Sequence, residues 1–377
     1  MSPSRQNLLG LDQSQLAEFV KNLGERPYRG RQLFGWLYTR GVDDLGAMSD
    51  LSREFRERLQ LAAEVRGIAP VASRRSSLDG TTKFLFALSD GLKIESVLIP
   101  PASAFAQGAT RSDDEQGRLT LCVSTQAGCP LDCAFCATAR MGYARNLTTG
   151  EIVDQFRKAQ QGTQKRITNV VFMGMGEPLM NYDSVMRAVD ILADGMGVAA
   201  RRITISTAGW ADGIRRMGEE QRKPKLALSL HSAVAETRLA LMPITRRYPL
   251  EDLRAALEAY YRRTRRRVTY EQVFFDGVND SDRELAALIR FARHVPCKIN
   301  VIPYHSIEFT GAAVGRVRLA PSPRTPELVE RLRAAHLTVM VRSNAGEDIE
   351  GACGQLAVLH EERTRSRITA VSPRHLN

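Results

Sequence analysis

Three cysteines near residue 130 constrain this chain more than any other feature of its sequence. Cys129, Cys133 and Cys136 have the spacing C-x3-C-x2-C. This close spacing lets one loop supply three thiolate ligands, one fewer than a closed tetrahedral metal site requires. The motif therefore predicts a metal centre that keeps one coordination position open.

Two kinds of centre are compatible with such a loop. In a [4Fe–4S] cluster bound by three cysteines, one iron stays free to bind a further ligand. A zinc site would need Cys122 or a histidine as its fourth ligand. We favour the [4Fe–4S] cluster, because the loop follows the first strand of a repeating pattern and does not form half of a zinc ribbon.

Length and composition limit the class of protein. The chain has 377 residues, 43% of them apolar, so it can bury a large core in two or three domains. The sequence shows no run of 18 apolar residues and no apolar signal core, so we expect a cytoplasmic protein without a membrane span. The net charge of +11 favours RNA as a partner, although a basic surface kept for solubility would carry the same charge.

From residue 118 onward, strand-like and helix-like segments alternate. This order is typical of parallel βαβ units, and the strands are almost continuously apolar, as expected when both faces are covered. The strand-like runs lie at 119–124, 168–174, 202–207, 225–230, 268–275, 297–303 and 337–341, and the clearest helices at 149–161, 183–195, 250–264 and 281–294. Such a number of units is too small for a closed eight-stranded barrel, so we predict an α/β fold with an open, partial (β/α)6 TIM-like barrel.

The remaining segments predict smaller units around the barrel. Apolar periodicity indicates an N-terminal helical domain, with Ser49 as a candidate helix cap. We assign Phe34 and Trp36 to its core. Arginines next to aromatic residues in the same stretch are also typical of an RNA-binding surface. Strands at 83–88 and 92–99 indicate a β adaptor. The predicted domains are 1–66, helical and RNA-binding; 67–117, adaptor and linker; 118–349, barrel; and 350–377, a C-terminal segment with Cys353.

Polar and small residues collect where the predicted strands end. Because carboxyl ends of strands form the active-site face of a β/α barrel, we expect these residues to share one site. They are Cys129, the Gly174–Pro178 segment, Ser206, Ser229 with His231, and His305. Taken singly, each has an ordinary explanation, since Glu177 could cap a helix and the others could satisfy buried polar groups.

Cys353 lies in a glycine-rich segment, with Gly346, Gly351 and Gly354 around it. A lone cysteine is usually a small buried apolar residue. In a flexible segment it can instead act as a nucleophile. Sequence spacing leaves both possibilities open.

With these residues in view, the chain resembles the radical S-adenosylmethionine (SAM) adenine-C2 RNA methyltransferases over most of its length. Members of that family methylate an adenosine in the peptidyl-transferase centre of 23S rRNA, and many also methylate the adenosine 3′ of the anticodon in some tRNAs. The resemblance rests on the three-cysteine loop, RGRQ at 29–32, LCVSxQxGC at 121–129, GMGEP at 174–178, SLH at 229–231, CKINxIP at 297–303 and ACGQL at 352–356.

The resemblance implies a reaction that uses two SAM molecules per turnover. The first would methylate Cys353, and cleavage of the second would give a 5′-deoxyadenosyl radical that removes hydrogen from this methyl group. The methylene radical would then add to adenine C2. Glu95 would accept the C2 proton, and attack by Cys122 on Cys353 would release the product and leave a disulfide. From the residues alone, Glu95 would be a surface carboxylate.

The resemblance also implies which residues bind and which partners take part. The cluster ligands would be Cys129, Cys133 and Cys136, and the SAM contacts Gly176, Glu177, Ser206, Ser229, Leu230, His231 and His305. The partners would be 23S rRNA, tRNA and a flavodoxin-type electron donor, and we expect a monomer. Two positions depart from the family pattern, because His305 stands in place of asparagine and Ala345 in place of arginine. Both bear on RNA specificity more than on chemistry.

Three alternative functions remain at this point. One is methylation of adenine at C8, since the C8-methylating enzymes share most of these motifs. Another is a radical SAM enzyme that does not methylate, which would need neither Cys122 nor Cys353. The third is a non-enzymatic RNA-binding protein with a structural zinc ion.

Overall fold

The structure is a computed structural model that describes residues 5–101, 117–305, 313–315, 317–342 and 345–356. Nearly all of the predicted linker and the C-terminal segment beyond residue 356 lie outside these ranges. No helix in the described part of the chain is both long and apolar enough to span a bilayer.

Strands and helices alternate through most of the described chain. The strands are β1 (Gln6–Asn7), β2 (Ala63–Glu64), β3 (Ala69–Arg75), β4 (Thr82–Ala87), β5 (Lys93–Ile99), β6 (Thr120–Cys122), β7 (Gln126–Gly128), β8 (Tyr143–Asn146), β9 (Asn169–Phe172), β10 (Ile203–Thr207), β11 (Lys225–Ser229), β12 (Val268–Gln272), β13 (Cys297–Val301), β14 (Ala313–Val314), β15 (Val317–Arg318) and β16 (Val339–Val341). The α-helices are Gln13–Asn22, Tyr28–Phe34, Arg53–Ala62, Ala137–Arg140, Thr149–Gln161, Tyr182–Asp194, Ala211–Glu219, Ala235–Leu241, Leu250–Thr264, Asp282–Ala292 and Thr325–Ala334.

A ten-stranded sheet organises the fold, in the order β16-β13-β12-β11-β10-β9-β6-β5-β4-β3. Within this sheet, the seven strands β6, β9, β10, β11, β12, β13 and β16 pair in parallel and in chain order, so their carboxyl ends meet at one edge. This arrangement confirms the predicted open barrel. The strand at its edge, β16, corresponds to the run predicted at 337–341.

The observed strands are shorter than the apolar runs because their carboxyl ends leave the sheet to build loops. The run at 268–275 shows why. Its ladder stops at Gln272, and the backbone N–H of Val273 then donates to Nδ1 of His231 at 3.2 Å, while that of Phe275 donates to Asn279 at 2.6 Å. These residues stay buried, as an apolar run predicts, but their hydrogen bonds go to loops.

The β adaptor has three strands instead of the two predicted, and all three join the barrel sheet. β5 pairs antiparallel with β6, β4 with β5, and β3 with β4. The sequence pattern missed β3 because each of its residues is exposed, so no apolar alternation marks it. Pro70 lies at an irregularity in its pairing, where a sheet edge tolerates a missing N–H.

The N-terminal helices form as the apolar pattern predicts, with one correction. Ser52, and not Ser49, caps the helix that begins at Arg53, because its hydroxyl accepts from the N–H of Phe55. Phe34 is buried. Trp36 is only half-buried, and its indole N–H donates to Asp50. The core assignment is therefore right for Phe34 and only partly right for Trp36.

The N-terminal helices are fixed to the barrel through helix Thr149–Gln161. The backbones of Gly10 and Gly150 approach so closely that a Cβ at Gly10 would lie 2.4 Å from the nitrogen of Gly150. Arg157 of this helix donates to the carbonyl of Gly41 at 3.2 Å and pairs at 2.8 Å with Asp154, which is fully buried. The contact is therefore both tightly packed and hydrogen-bonded.

Candidate active site

A cavity that is partly open to solvent lies at the carboxyl ends of the parallel strands. Most of the residues singled out from the sequence line it, although they come from distant parts of the chain. The predicted residues on its wall are Cys129, Cys133, Cys136, Gly176, Glu177, Ser206, Ser229, His231 and Cys353. The expectation of one shared site at this edge is therefore correct for these residues.

The loop with the three cysteines is held in place by backbone hydrogen bonds. The N–H of Cys129 donates to Gly142 at 2.8 Å, and that of Ala134 donates to Leu241 at 2.9 Å. Burial raises the pKa of the Cys129 thiol to about 12 and that of Cys133 well above its usual value. Without bound metal ions these thiols would keep their protons, so metal binding must supply the charge that stabilises the thiolates.

The thiol positions bear on the choice between cluster and zinc. Across the described residues, no three histidine, cysteine, aspartate or glutamate side chains converge closely enough to hold a single metal ion. The three thiols instead line one cavity together with residues from the carboxyl ends of several strands. This donor set, all sulfur and one ligand short, fits a [4Fe–4S] cluster.

Glu177 is a buried carboxylate that both caps a turn and faces the cavity. Its Oε1 accepts from the N–H of Leu179 at 3.0 Å and its Oε2 accepts from Ala208 at 2.7 Å. Burial raises the pKa of Glu177 to about 7. Since each carboxylate oxygen can accept a second hydrogen bond, the group can also receive an ammonium. The capping explanation is therefore correct, and it leaves room for a ligand.

His231 is held as a neutral ring with a fixed tautomer. Burial lowers the pKa of His231 to about 3, and its Nδ1 accepts from the N–H of Val273. The proton of the neutral ring therefore lies on Nε2. The ring packs edge-on against Phe135, with centroids 4.6 Å apart, and the backbone is left-handed at φ 54°. Such strain is common at ligand sites.

The loop with Cys353 is bonded directly to the cysteine loop. The N–H of Ala137 donates to the carbonyl of Gly354 at 2.7 Å. The hydroxyl of Thr138 donates to the carbonyl of Leu356, also at 2.7 Å. Cys353 itself is exposed and lines the cavity. It is therefore not the buried apolar residue that a lone cysteine usually is.

Arg342 lies between Cys353 and the strand carboxyl ends. Its Nη1 is 3.7 Å from Sγ of Cys353, and its Nη2 is 3.6 Å from Sδ of Met173 and 3.9 Å from Oε1 of Glu271. Cys122 is buried. It lies near enough to Cys353 and Arg342 for both to influence the pKa of its thiol. Burial raises the pKa of Cys122 to about 12, so this thiol stays protonated until its surroundings change.

Glu95 is buried, which corrects the interpretation drawn from the residues alone. Only 5% of the residue is exposed, and its Oε1 lies 3.3 Å from Nζ of Lys83. Glu95 is opposite Leu85 in the antiparallel ladder, and Val97 is opposite Cys122. Opposite residues in such a ladder point to the same face, so Glu95, Val97 and Cys122 share the face that continues the barrel interior.

Comparisons with known proteins agree over most of the chain. Residues 6–65 match the ribosomal RNA large subunit methyltransferase N-terminal domain, and residues 123–289 match the radical SAM superfamily. The dual-specificity RNA methyltransferase RlmN of Halorhodospira halophila is 43% identical over 93% of this chain and 92% of its own. That of Syntrophobacter fumaroxidans is 43% identical over 91% and 95%.

The chain belongs to the dual-specificity RNA methyltransferase RlmN family. A crystal structure of a radical SAM methyltransferase from Sphaerobacter thermophilus has a TM-score of 0.80 and 39% identity, covering 93% of this chain and 99% of that one. The predicted family, fold, [4Fe–4S] cluster and SAM are thereby confirmed. Two of the alternative functions are therefore wrong, because the chain belongs to a family of methyltransferases. These are the non-enzymatic RNA-binding protein with a structural zinc ion and the radical SAM enzyme that does not methylate.

Two of the residues that the family pattern implies as SAM contacts do not lie on the cavity wall. Leu230 is fully buried, and its N–H donates to the carbonyl of Glu271 at 3.1 Å. His305 is also buried, with its Nδ1 3.2 Å from Oε1 of Glu347. Their roles remain predictions, and His305 contacts the segment just before Cys353 and not the cavity.

Sequence reasoning missed four charged residues near the site: Lys83, Arg238, Glu271 and Arg342. Arg238 is 1% exposed and donates to the carbonyls of Ala208 and Ser229 at 2.7 and 3.3 Å, and burial lowers its pKa to about 10. A signal existed for two of the four. Glu271 is a charge inside an apolar strand, and Arg342 follows a strand at its carboxyl end.

Proposed function

We propose that this chain methylates C2 of adenosine in 23S rRNA, and of the adenosine 3′ of the anticodon in some tRNAs. The observation that carries the proposal is the position of Cys353. It lies on the wall of the cavity that contains the three cluster cysteines, and Arg342 connects it to the interior near Cys122. Family membership supports RNA as the substrate.

Cys353 is the first group to react. Its thiolate attacks the methyl carbon of SAM, a C–S bond forms at Cys353, and S-adenosylhomocysteine leaves with the electron pair of the broken bond. The guanidinium of Arg342 lies beside Sγ of Cys353, where it can orient the attacking sulfur. Exposure of Cys353 allows the thiol proton to pass to solvent.

Cys129, Cys133 and Cys136 would hold the [4Fe–4S] cluster, with Glu177 and His231 on the wall where a second SAM binds. When bound, the cluster supplies the electron that splits this SAM, so that a 5′-deoxyadenosyl radical takes hydrogen from the methyl group on Cys353. Glu177 accepts the ammonium of SAM, whose charge favours the ionised carboxylate. His231 presents its Nε2–H as a donor.

Glu95 and Cys122 complete the reaction. After the methylene carbon on Cys353 has joined adenine C2, the Glu95 carboxylate accepts the C2 proton. The unpaired electron left by the radical addition would return to the oxidised cluster. The Cys122 thiol then loses its proton and its sulfur attacks the Cys353 sulfur, so that an S–S bond forms and the bond from Cys353 to the methylene carbon breaks. The released carbon takes up a proton and becomes the methyl group, and the disulfide is later reduced.

The partners and state of the enzyme belong to the same proposal. We expect a cytoplasmic monomer that receives electrons from a flavodoxin-type donor. RNA binding by the basic chain should weaken steeply with salt, because phosphate contacts release counterions.

The test is to map methylated adenosine in 23S rRNA and tRNA of a deletion strain that expresses this chain. Mass spectrometry of digested RNA, calibrated with 2-methyl- and 8-methyladenosine, should show the 2-methyl product with this chain and none with the Cys353→Ala variant. A product with the 8-methyl retention time would overturn the C2 assignment. Absence of any methylated adenosine would overturn the proposed function.

A further inference from the structure

Lys83 is a buried lysine that joins two parts of the active site. Its side chain is 8% exposed, and Nζ lies 3.3 Å from Oε1 of Glu95 and 3.3 Å from the carbonyl oxygen of Glu350. We infer that Lys83 is a positioning residue that couples the C2-proton acceptor, Glu95, to the loop with Cys353. The inference rests on the proposed function, in which Glu95 accepts that proton.

Lys83 and Glu95 lie on paired strands β4 and β5, where backbone pairing does not depend on a charged side chain at either position. Lys83 is opposite Val97, and Glu95 is opposite Leu85, so the two charged side chains are diagonal neighbours on one face. Lysine and glutamate are rarely buried unless they are paired. A buried ion pair adds little net stability compared with apolar residues, so its presence in this strand pair favours a functional reason.

The turn between β3 and β4, which leads into Lys83, holds the Cys353 loop at further points. Oδ2 of Asp79 accepts from the N–H of Gly346 at 2.7 Å, and the N–H of Ser77 donates to Asp348 at 3.2 Å. Thr81 packs against Gly346, where a Cβ would lie 2.8 Å from its methyl group. Lys83 differs from these residues because it contacts both the loop, at Glu350, and Glu95, which takes part in the proposed reaction.

This geometry links the charge of Glu95 to the position of the loop. While Glu95 is ionised, Lys83 holds both the carboxylate and the Glu350 carbonyl, which sets the distance between the base and the Cys353 segment. Without the ammonium, the buried carboxylate of Glu95 loses one cation that favours its ionised form, and it more readily takes up a proton. The step that suffers most should then be removal of the C2 proton, because it needs an ionised and correctly placed Glu95.

The experiment uses the reconstituted holoenzyme with RNA that carries deuterium at C2 of the target adenosine. Decay of the protein–RNA adduct is followed in rapid-quench samples on denaturing gels across pH. In Lys83→Met we expect decay to be slower by about tenfold or more and its half-maximal pH to move upward, with a larger C2 isotope effect. Lys83→Arg keeps the cation and should restore most of the rate.

Asp79→Ala is the matched control, because it removes a loop contact without touching Glu95. This variant should slow adduct formation but leave the isotope effect on decay unchanged. If Lys83→Met gives the wild-type isotope effect and pH profile while Glu95→Gln blocks decay, the inference is wrong and the role of Glu95 stands. If Glu95→Gln decays as the wild type does, the proposed role of Glu95 fails instead. Should Lys83→Met not fold, Lys83→Gln and Lys83→Arg provide the same comparison.

Discussion

The guanidinium of Arg342 lies 3.7 Å from the sulfur of Cys353, at the end of strand β16. The same guanidinium lies 3.9 Å from the carboxylate of Glu271, a residue that is only 1% exposed. A buried carboxylate thus orients the cation, and the cation faces the one exposed cysteine among the six of the chain. The sulfur of Cys353, which we propose accepts the methyl group, is therefore placed by charge as well as by its loop.

Replacing Arg342 by glutamine should slow methylation of Cys353 by about tenfold at neutral pH, because a hydrogen bond to a charged group contributes roughly 1.5–3 kcal/mol. The attacking sulfur of Cys353 loses the guanidinium that lies 3.7 Å away. Mass spectrometry of the peptide with Cys353, after incubation with SAM labelled in the methyl group, measures this step alone. Arg342→Lys is the control and should keep part of the rate. A wild-type rate at every pH would contradict this role.

The barrel could be predicted from sequence because apolar runs and helices alternate, and the carboxyl ends of parallel strands meet at one edge. This rule places Glu177, His231 and the cluster cysteines together without any long-range information. It fails for Leu230, which follows a strand but points into the core. It also says nothing of Glu95, because that residue reaches the site through antiparallel pairing with β6, which only the tertiary fold reveals.

Lys83 and β3 show a second limit of sequence reasoning. A lysine at the start of an apolar strand is ordinarily taken to be exposed. Its burial depends on the loop at 345–356, which comes from the other end of the chain and covers it. β3 has no apolar face, and in the sheet it pairs with β4, so periodicity has no signal there.

Replacing Cys122 by alanine should trap the covalent adduct between enzyme and RNA. No sulfur would then attack Cys353, so the methylene bridge to adenine would persist. Denaturing gels of the variant with labelled RNA should show a band of retarded mobility that nuclease digestion removes. The Cys122→Ala, Cys353→Ala double variant is the control and should form no adduct. If Cys122→Ala released methylated RNA at the normal rate, another group would have to resolve the intermediate.

Replacing Gly176 by alanine should weaken SAM binding without disturbing the distant helices. The backbone at Gly176 has φ 99°, and a Cβ there would lie 2.5 Å from Cβ of Gln126. Gln126 accepts from the N–H of Glu177 at 2.8 Å, so the clash would displace that carboxylate. The strain should cost about 1–3 kcal/mol, measured as SAM affinity by anaerobic calorimetry. Gly35→Ala, with no atom within 4 Å of the added methyl group, is the matched control and should leave affinity unchanged.

His231 should make the protein less stable in mild acid. Burial lowers its pKa from the usual 6.5 to about 3, so between these values the unfolded chain binds a proton that the folded chain does not. Stability therefore falls as the pH decreases below 6.5, by about 1.4 kcal/mol per pH unit for this group. His231→Asn removes the titration, keeps an acceptor near Nδ1 and tolerates the left-handed backbone.

The measurement is the free energy of unfolding in urea at pH 7 and pH 5.5, for wild type and His231→Asn under the same anaerobic conditions. Because both proteins share every other titrating group, the difference between their losses isolates His231. We expect the wild type to lose about 1.4 kcal/mol more than the variant over this interval. Equal losses would mean that His231 accepts a proton in the folded protein, and the neutral ring inferred from its bond to Val273 would then be wrong.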